Sequence, residues 1–218
     1  MKAVIITEAP LVVEELVDVV HGAQVALGPE ALTRIRASRA VVDRALGSGD
    51  AIYGLTTGIG HLKDTRLPDE ELRRAQQLLV MTHAGGIGPA LPAELVRAAL
   101  MVRLNGIARG GSGVSPAVAE TLAAMLNAGV HPVVAETGSV GAGDLAQMAT
   151  IALVAIGMGS AEHAGEILPA PRRCGAPASP RWSCSPRTGS PWCPPTASRS
   201  GTAPWWSPAP PGPSTPPT

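Results

Sequence analysis

The chain has 218 residues, with 17 Lys and Arg against 17 Asp and Glu and a formal net charge of zero, long enough for one substantial core or for one domain and a tail. Balanced charge offers no general electrostatic attraction to nucleic acid, and the longest apolar run, Ile151–Met158, is far too short to span a bilayer. Neither a nucleic-acid nor a membrane partner is expected.

The zero average conceals two segments. Residues 1–168 carry 12 basic and 17 acidic side chains, whereas residues 169–218 carry 5 Arg and no acid. All three Cys, all four Trp and 15 of the 22 Pro lie in that second segment. Residues 1–168 therefore read as a domain. Residues 169–218 read as an irregular, disordered tail, because such proline density forbids helix interiors and central strands. Cys174, Cys184 and Cys193 are odd in number and widely spaced, matching neither a zinc knuckle nor a disulfide framework. Ala3–Ile6 runs straight into Thr7 and Glu8, without the long apolar stretch of a secretory signal, so a cytoplasmic location is expected.

In chain order, a short extended start precedes a helix over about Val12–Val20, with Pro10 near its opening and Gly22 beyond its end. Residues 29–46 repeat that grammar between Pro29 and Gly47, with Leu32, Ile35, Val42, Ala45 and Leu46 near helical spacing. Further helices are expected from Pro68 to Thr82, from Pro92 to about Ala108, and over Ala117–Asn127 behind Ser115-Pro116. Arg97, Arg103 and Arg109 give the Pro92 helix a basic aspect. The last helix, Asp144–Met158, is almost uncharged and apolar around most of its circumference, which suits the middle of a bundle or an oligomer interface.

Three stretches between these helices could carry chemistry. Tyr53, the only tyrosine, is followed by Gly54, Gly58 and Gly60; it can serve as acid, base or hydrogen-bond donor, or be a half-buried structural tyrosine. His83 stands at a helix exit, as ligand or base, or merely in favourable contact with the helix dipole. Gly138, Gly141 and Gly143 form a glycine-spaced loop before Asp144, able either to hold an electron-rich group at the helix mouth or simply to cap it.

With these stretches in order, residues 10–168 resemble the N-terminal part of the histidine and aromatic amino acid ammonia-lyase family. Four blocks carry the resemblance: Tyr53-Gly-Leu-Thr-Thr-Gly-Ile-Gly60; His83-Ala-Gly-Gly-Ile-Gly; Arg103-Leu-Asn-Gly-Ile-Ala-Arg-Gly110 with Ser112-Gly-Val; and Asn127-Ala-Gly-Val-His-Pro ahead of Gly138-Ser-Val-Gly-Ala-Gly-Asp-Leu-Ala146. The resemblance implies a mainly α fold of the L-aspartase-like superfamily, homotetramers with active sites shared between subunits, and elimination of ammonia from histidine or another aromatic amino acid. It also implies an electrophilic methylidene-imidazolone made from an internal Ala-Ser-Gly, with no external cofactor and no metal. By the same resemblance Tyr53 is the base that removes the β proton, and His83, Thr56 and Gly60 lie on the substrate side.

The electrophile locus departs from that pattern. Where the family has Gly-Ala-Ser-Gly-Asp, this chain has Gly141-Ala142-Gly143-Asp144, one residue shorter, and the missing residue is the serine whose dehydration yields the methylidene. Ala142, Gly143 and Asp144 thus form a degenerate loop, and the electrophile is expected to be absent. Ser139 is followed by branched Val140, which would crowd ring closure, and Ser112-Gly113 belongs to another loop. Thr56 replaces a usual asparagine and Gly111 a commonly aromatic residue. The family also continues for several hundred residues, whereas the composition here changes abruptly near 168–172, as a reading frame translated out of register would. The expectation is a truncated, inactive copy or a non-catalytic helical protein that associates with a full-length paralogue.

Overall fold

The computed structural model describes residues 3–68, 70–139, 141 and 145–170, with the side chain of Arg73 left out. The expected irregular tail, 169–218, lies outside the described residues from position 171 onward. Six α-helices, one 3-10 turn (Gly60–Leu62) and seven strands of three or four residues are found among the described residues. The expected largely helical character holds, and the strands are what sequence spacing did not reveal.

Strand β1 (Ala3–Ile6), helix α1 (Val13–Val20) and strand β2 (Gln24–Leu27) make a small parallel unit, pairing Ala3 with Gln24 through Ile6 with Leu27. Helix α2 (Pro29–Gly47) has Pro29 in its first turn, where a missing N–H costs nothing, and buries Ala31 and Ile35. Helix α3 spans Leu72–His83. It begins four residues later than Pro68 suggests, because Pro68 opens a separate turn closed by the Glu71 N–H on its carbonyl.

The centre of the core is helix α4 (Ala93–Ala108), whose Val96, Leu100, Met101, Leu104 and Ile107 are buried against Val118, Leu122, Met125 and Leu126 of helix α5 (Pro116–Ala128). Helix α5 starts on Pro116 and ends on Gly129 in the left-handed conformation (φ 65°), the ending that glycine makes cheapest. Strands β3 (Ile87–Ala90) and β5 (Ala135–Thr137) pair antiparallel; β4 (Val130–Pro132), β6 (Ser160–His163) and β7 (Glu166–Pro169) form an antiparallel sheet in the order β4-β6-β7. Helix α6 (Leu145–Ala155) connects β5 to β6. Among the described residues no helix is long and apolar enough to cross a membrane.

Two readings are corrected here. The basic aspect of α4 does not include Arg97, which is 6% exposed and turned into the core. Its guanidinium donates to Val19 O (2.6 and 3.0 Å) and Leu126 O (3.0 Å), carbonyls at the C-terminal ends of α1 and α5. Those helix ends carry partial negative charge, which suits a cation, and each carbonyl takes the guanidinium on top of one backbone N–H, Gly22 on Val19 O (3.0 Å) and Gly129 on Leu126 O (3.3 Å). Of the two settings expected for the uncharged α6, the middle of a bundle does not hold within this chain: only Ile151 and Val154 are buried, and Leu145 is 59% exposed.

Candidate active site

The Tyr53 turn is built on one carbonyl. The N–H groups of Leu55, Thr56 and Thr57 all donate to Ile52 O at 3.0–3.2 Å, and Thr56 Oγ1 both accepts from Ile52 N (2.8 Å) and donates to Asp50 O (2.7 Å). Thr56 is 2% exposed, so its hydroxyl is used in closing the turn. The following loop folds back through a Thr57–Arg66 bridge and the Gly58 N–H on Thr65 O. At Gly58 a Cβ would lie 2.6 Å from Leu62 Cβ, so no larger residue fits without the loop opening. Tyr53 is 65% exposed, and its oxygen accepts the Gly60 N–H at 3.3 Å.

Helix α3 carries this turn and His83 together. Gln76 Nε2 donates to Gly54 O (3.2 Å), seven residues before His83, a separation of roughly 10 Å along the axis at 1.5 Å per residue. His83 Nδ1 lies 2.8 Å from Leu79 O. A carbonyl only accepts, so Nδ1 carries the proton and Nε2 of the neutral ring is left as an acceptor.

The chain then turns into contact with the glycine-spaced loop. At Gly86 (φ +146°) a Cβ would meet Ala135 Cβ at 2.8 Å, and at Gly138 one would meet Gly85 O, Gly86 Cα and Ala146 Cβ, each at 3.4 Å. Small residues on both sides thus let the His83 exit, through Gly85 and Gly86, lie in close contact with Ala135 and Gly138. The Gly141 N–H donates to Ser139 Oγ (3.0 Å), and Gln147 Nε2 of α6 holds Glu136 O (3.4 Å). Ala142, Gly143 and Asp144 lie outside the described residues.

The His83 exit and the glycine-spaced loop are therefore joined, whereas the Tyr53 turn sits about two helical turns away with its phenol facing outward. Two open clefts lie away from Tyr53 and His83: one of about 520 Å³ between α2 and residues 109–113, the other of about 240 Å³ between α4 and α6. Among the described residues no group of three or more His, Cys, Asp or Glu could hold a metal. Gln76 and Gln147 organise the site and were not singled out from sequence. Their role depends on carbonyls 22 and 11 residues away, which no local pattern announces.

Comparison with known proteins bears on the family and the fold. A family profile described as aromatic amino acid lyase matches residues 11–178. The chain is similar to histidine ammonia-lyase of Gloeobacter violaceus, 48% identical over 161 residues that make up 73% of this chain and 31% of that protein. It is also similar to histidine ammonia-lyase of Treponema denticola, 43% identical over 170 residues, or 77% of this chain and 34% of that one. Among solved structures it superimposes on the ergothioneine-degrading ergothionase from Treponema denticola with a TM-score of 0.75, at 30% identity over 78% of this chain and 34% of that one. This chain belongs to the aromatic amino acid lyase family. It spans about a third of the length of the relatives it matches.

Proposed function

We propose that the chain is an ammonia-lyase-family unit whose complete relatives eliminate ammonia from histidine or another aromatic L-amino acid, and that this copy does not perform the elimination. One observation carries the second half: Gly141-Ala142-Gly143-Asp144 contains no serine between alanine and glycine. The family's electrophile, when present, draws electrons from the substrate amine. The residues here do not fit it. The locus offers no hydroxyl to lose, and the described neighbour, Ser139, is tied into a turn by the Gly141 N–H.

The remaining parts support the family reading. We assign Tyr53 as the residue placed for proton abstraction, supported by its exposure and by the Gly60 N–H on its oxygen. His83, with Nε2 free to accept, suits an amino-acid ligand. Gly60 acts through its N–H, and Thr56 acts indirectly, by closing the turn that presents Tyr53. The L-aspartase-like assignment, an aromatic amino-acid ligand, a homotetramer and a cytoplasmic location belong to the same proposal, as does a reading-frame change near 168–172, supported by the switch in composition.

A second reading, a non-catalytic protein that associates with a full-length paralogue, is favoured by the thin burial of apolar α6. Ammonia release from histidine, phenylalanine and tyrosine by the purified chain tests the first reading. Release at the background rate is expected, and turnover with any of the three would overturn it.

A further inference from the structure

The groove between α4 and α6 is lined by Leu91, Leu95, Ala99, Val134, Met148 and Ile151, with Gln147 as its polar member. Along α4, Leu95, Ala99 and Val102 recur at the spacing of one helix face, and Leu95 and Val102 are both more than half exposed. Across the groove, Leu145–Ala155 contains no charged residue. Among the described residues nothing covers this charge-free wall, which makes it a contact surface.

Two observations identify what covers it. The chain corresponds to 31–34% of its curated relatives while keeping their fold over 78% of its own length, so about two thirds of the fold lies outside the matched segment. The surface is also concave. Two copies of one groove leave the same void facing itself, whereas an apolar helix presents the ridge that fills it. We propose that the α4–α6 groove docks an apolar helix from the two thirds of the lyase fold outside the matched segment, and that such a partner binds this chain without any covalent link. The proposal rests on family membership and deepens the second reading above. Its readout is binding, so it stands or falls independently of ammonia release.

The test is co-expression of the full chain with the part of Gloeobacter violaceus histidine ammonia-lyase outside the 161-residue match, followed by co-purification and light scattering. A one-to-one complex is expected. Leu95→Glu, at an exposed position that leaves the core intact, should weaken it at least tenfold, and Met148→Glu should do the same. Val41→Glu, on the far groove beside α2, should leave it unchanged. Amide exchange over Ala146–Ala155 should slow in the complex. The proposal is overturned by absence of a complex, by a fragment that stays insoluble beside the wild-type chain, or by a complex indifferent to Leu95→Glu. Self-association of the chain alone that Leu95→Glu abolishes would assign the groove to a second copy instead.

Discussion

Arg97 and His131 form the most consequential pair outside the candidate site. Arg97 donates from Nη1 to His131 Nε2 at 3.2 Å. Arginine has no acceptor, so Nε2 must be bare and the ring proton must sit on Nδ1, which is buried without a hydrogen-bond partner among the described residues. A second proton would charge a ring that burial and the neighbouring guanidinium both disfavour. His131 is held below the ordinary imidazole value by desolvation first and by Arg97 second, against the opposing pull of Glu162 and Glu94, with His163 adding a small push in the same direction as Arg97. Arg97 is itself lowered by burial, yet a guanidinium stays cationic. The linkage has a definite sign. Below the ordinary histidine pKa of ~6.5 the unfolded chain binds a proton that the folded chain refuses, so stability is full above that pH and declines as pH falls through it. Urea midpoints of the wild type should drop between neutral pH and mild acid more steeply than those of His131→Gln, whose amide oxygen can still accept from Arg97. Identical pH slopes would remove His131 from the account.

At the scale of elements, legibility follows the range of the forces involved. Helix α5 could be read between Pro116 and Gly129 because its start and stop are set by adjacent residues, and α2 and α4 follow for the same reason. Beyond the short extended start, where β1 lies, the strands could not be read: three or four residues are too few to show alternation, and all but the local β6–β7 pair are fixed by distant partners. Strand β2 is an example, since Asn127 donates to Val25 O (2.9 Å) and accepts from Val25 N (2.7 Å) like a neighbouring strand, across 102 residues. The burial of Arg97 escaped notice likewise, its acceptors being 78 and 29 residues away. The β6–β7 hairpin turns on Ala164 (φ 51°) and Gly165 (φ 80°), both left-handed as two-residue turns of this hand require. Alanine is strained there by about 1 kcal/mol, a penalty that asparagine largely avoids. Ala164→Asn should therefore raise the unfolding free energy by about that amount in urea titrations; a loss of stability would contradict the turn assignment.

For the whole molecule, the candidate site was legible as motifs and only partly as geometry. The sequence blocks around His83 and Gly138 do meet, because Gly85, Gly86, Gly138 and Ala146 are small enough to let the backbones touch. Tyr53 stands apart and faces solvent, a placement that local spacing could not convey. The uncharged α6 was legible as an apolar helix, but not its thin burial, because burial depends on neighbours that the segment does not name.

A lyase-family fold built around Gly141-Ala142-Gly143-Asp144, with no serine to dehydrate, should carry no electrophile. Intact-mass measurement of the purified chain tests it most directly. The mass of the unmodified sequence is predicted; a species lighter by one water molecule, mapped by fragmentation to residues 139–144, would contradict it.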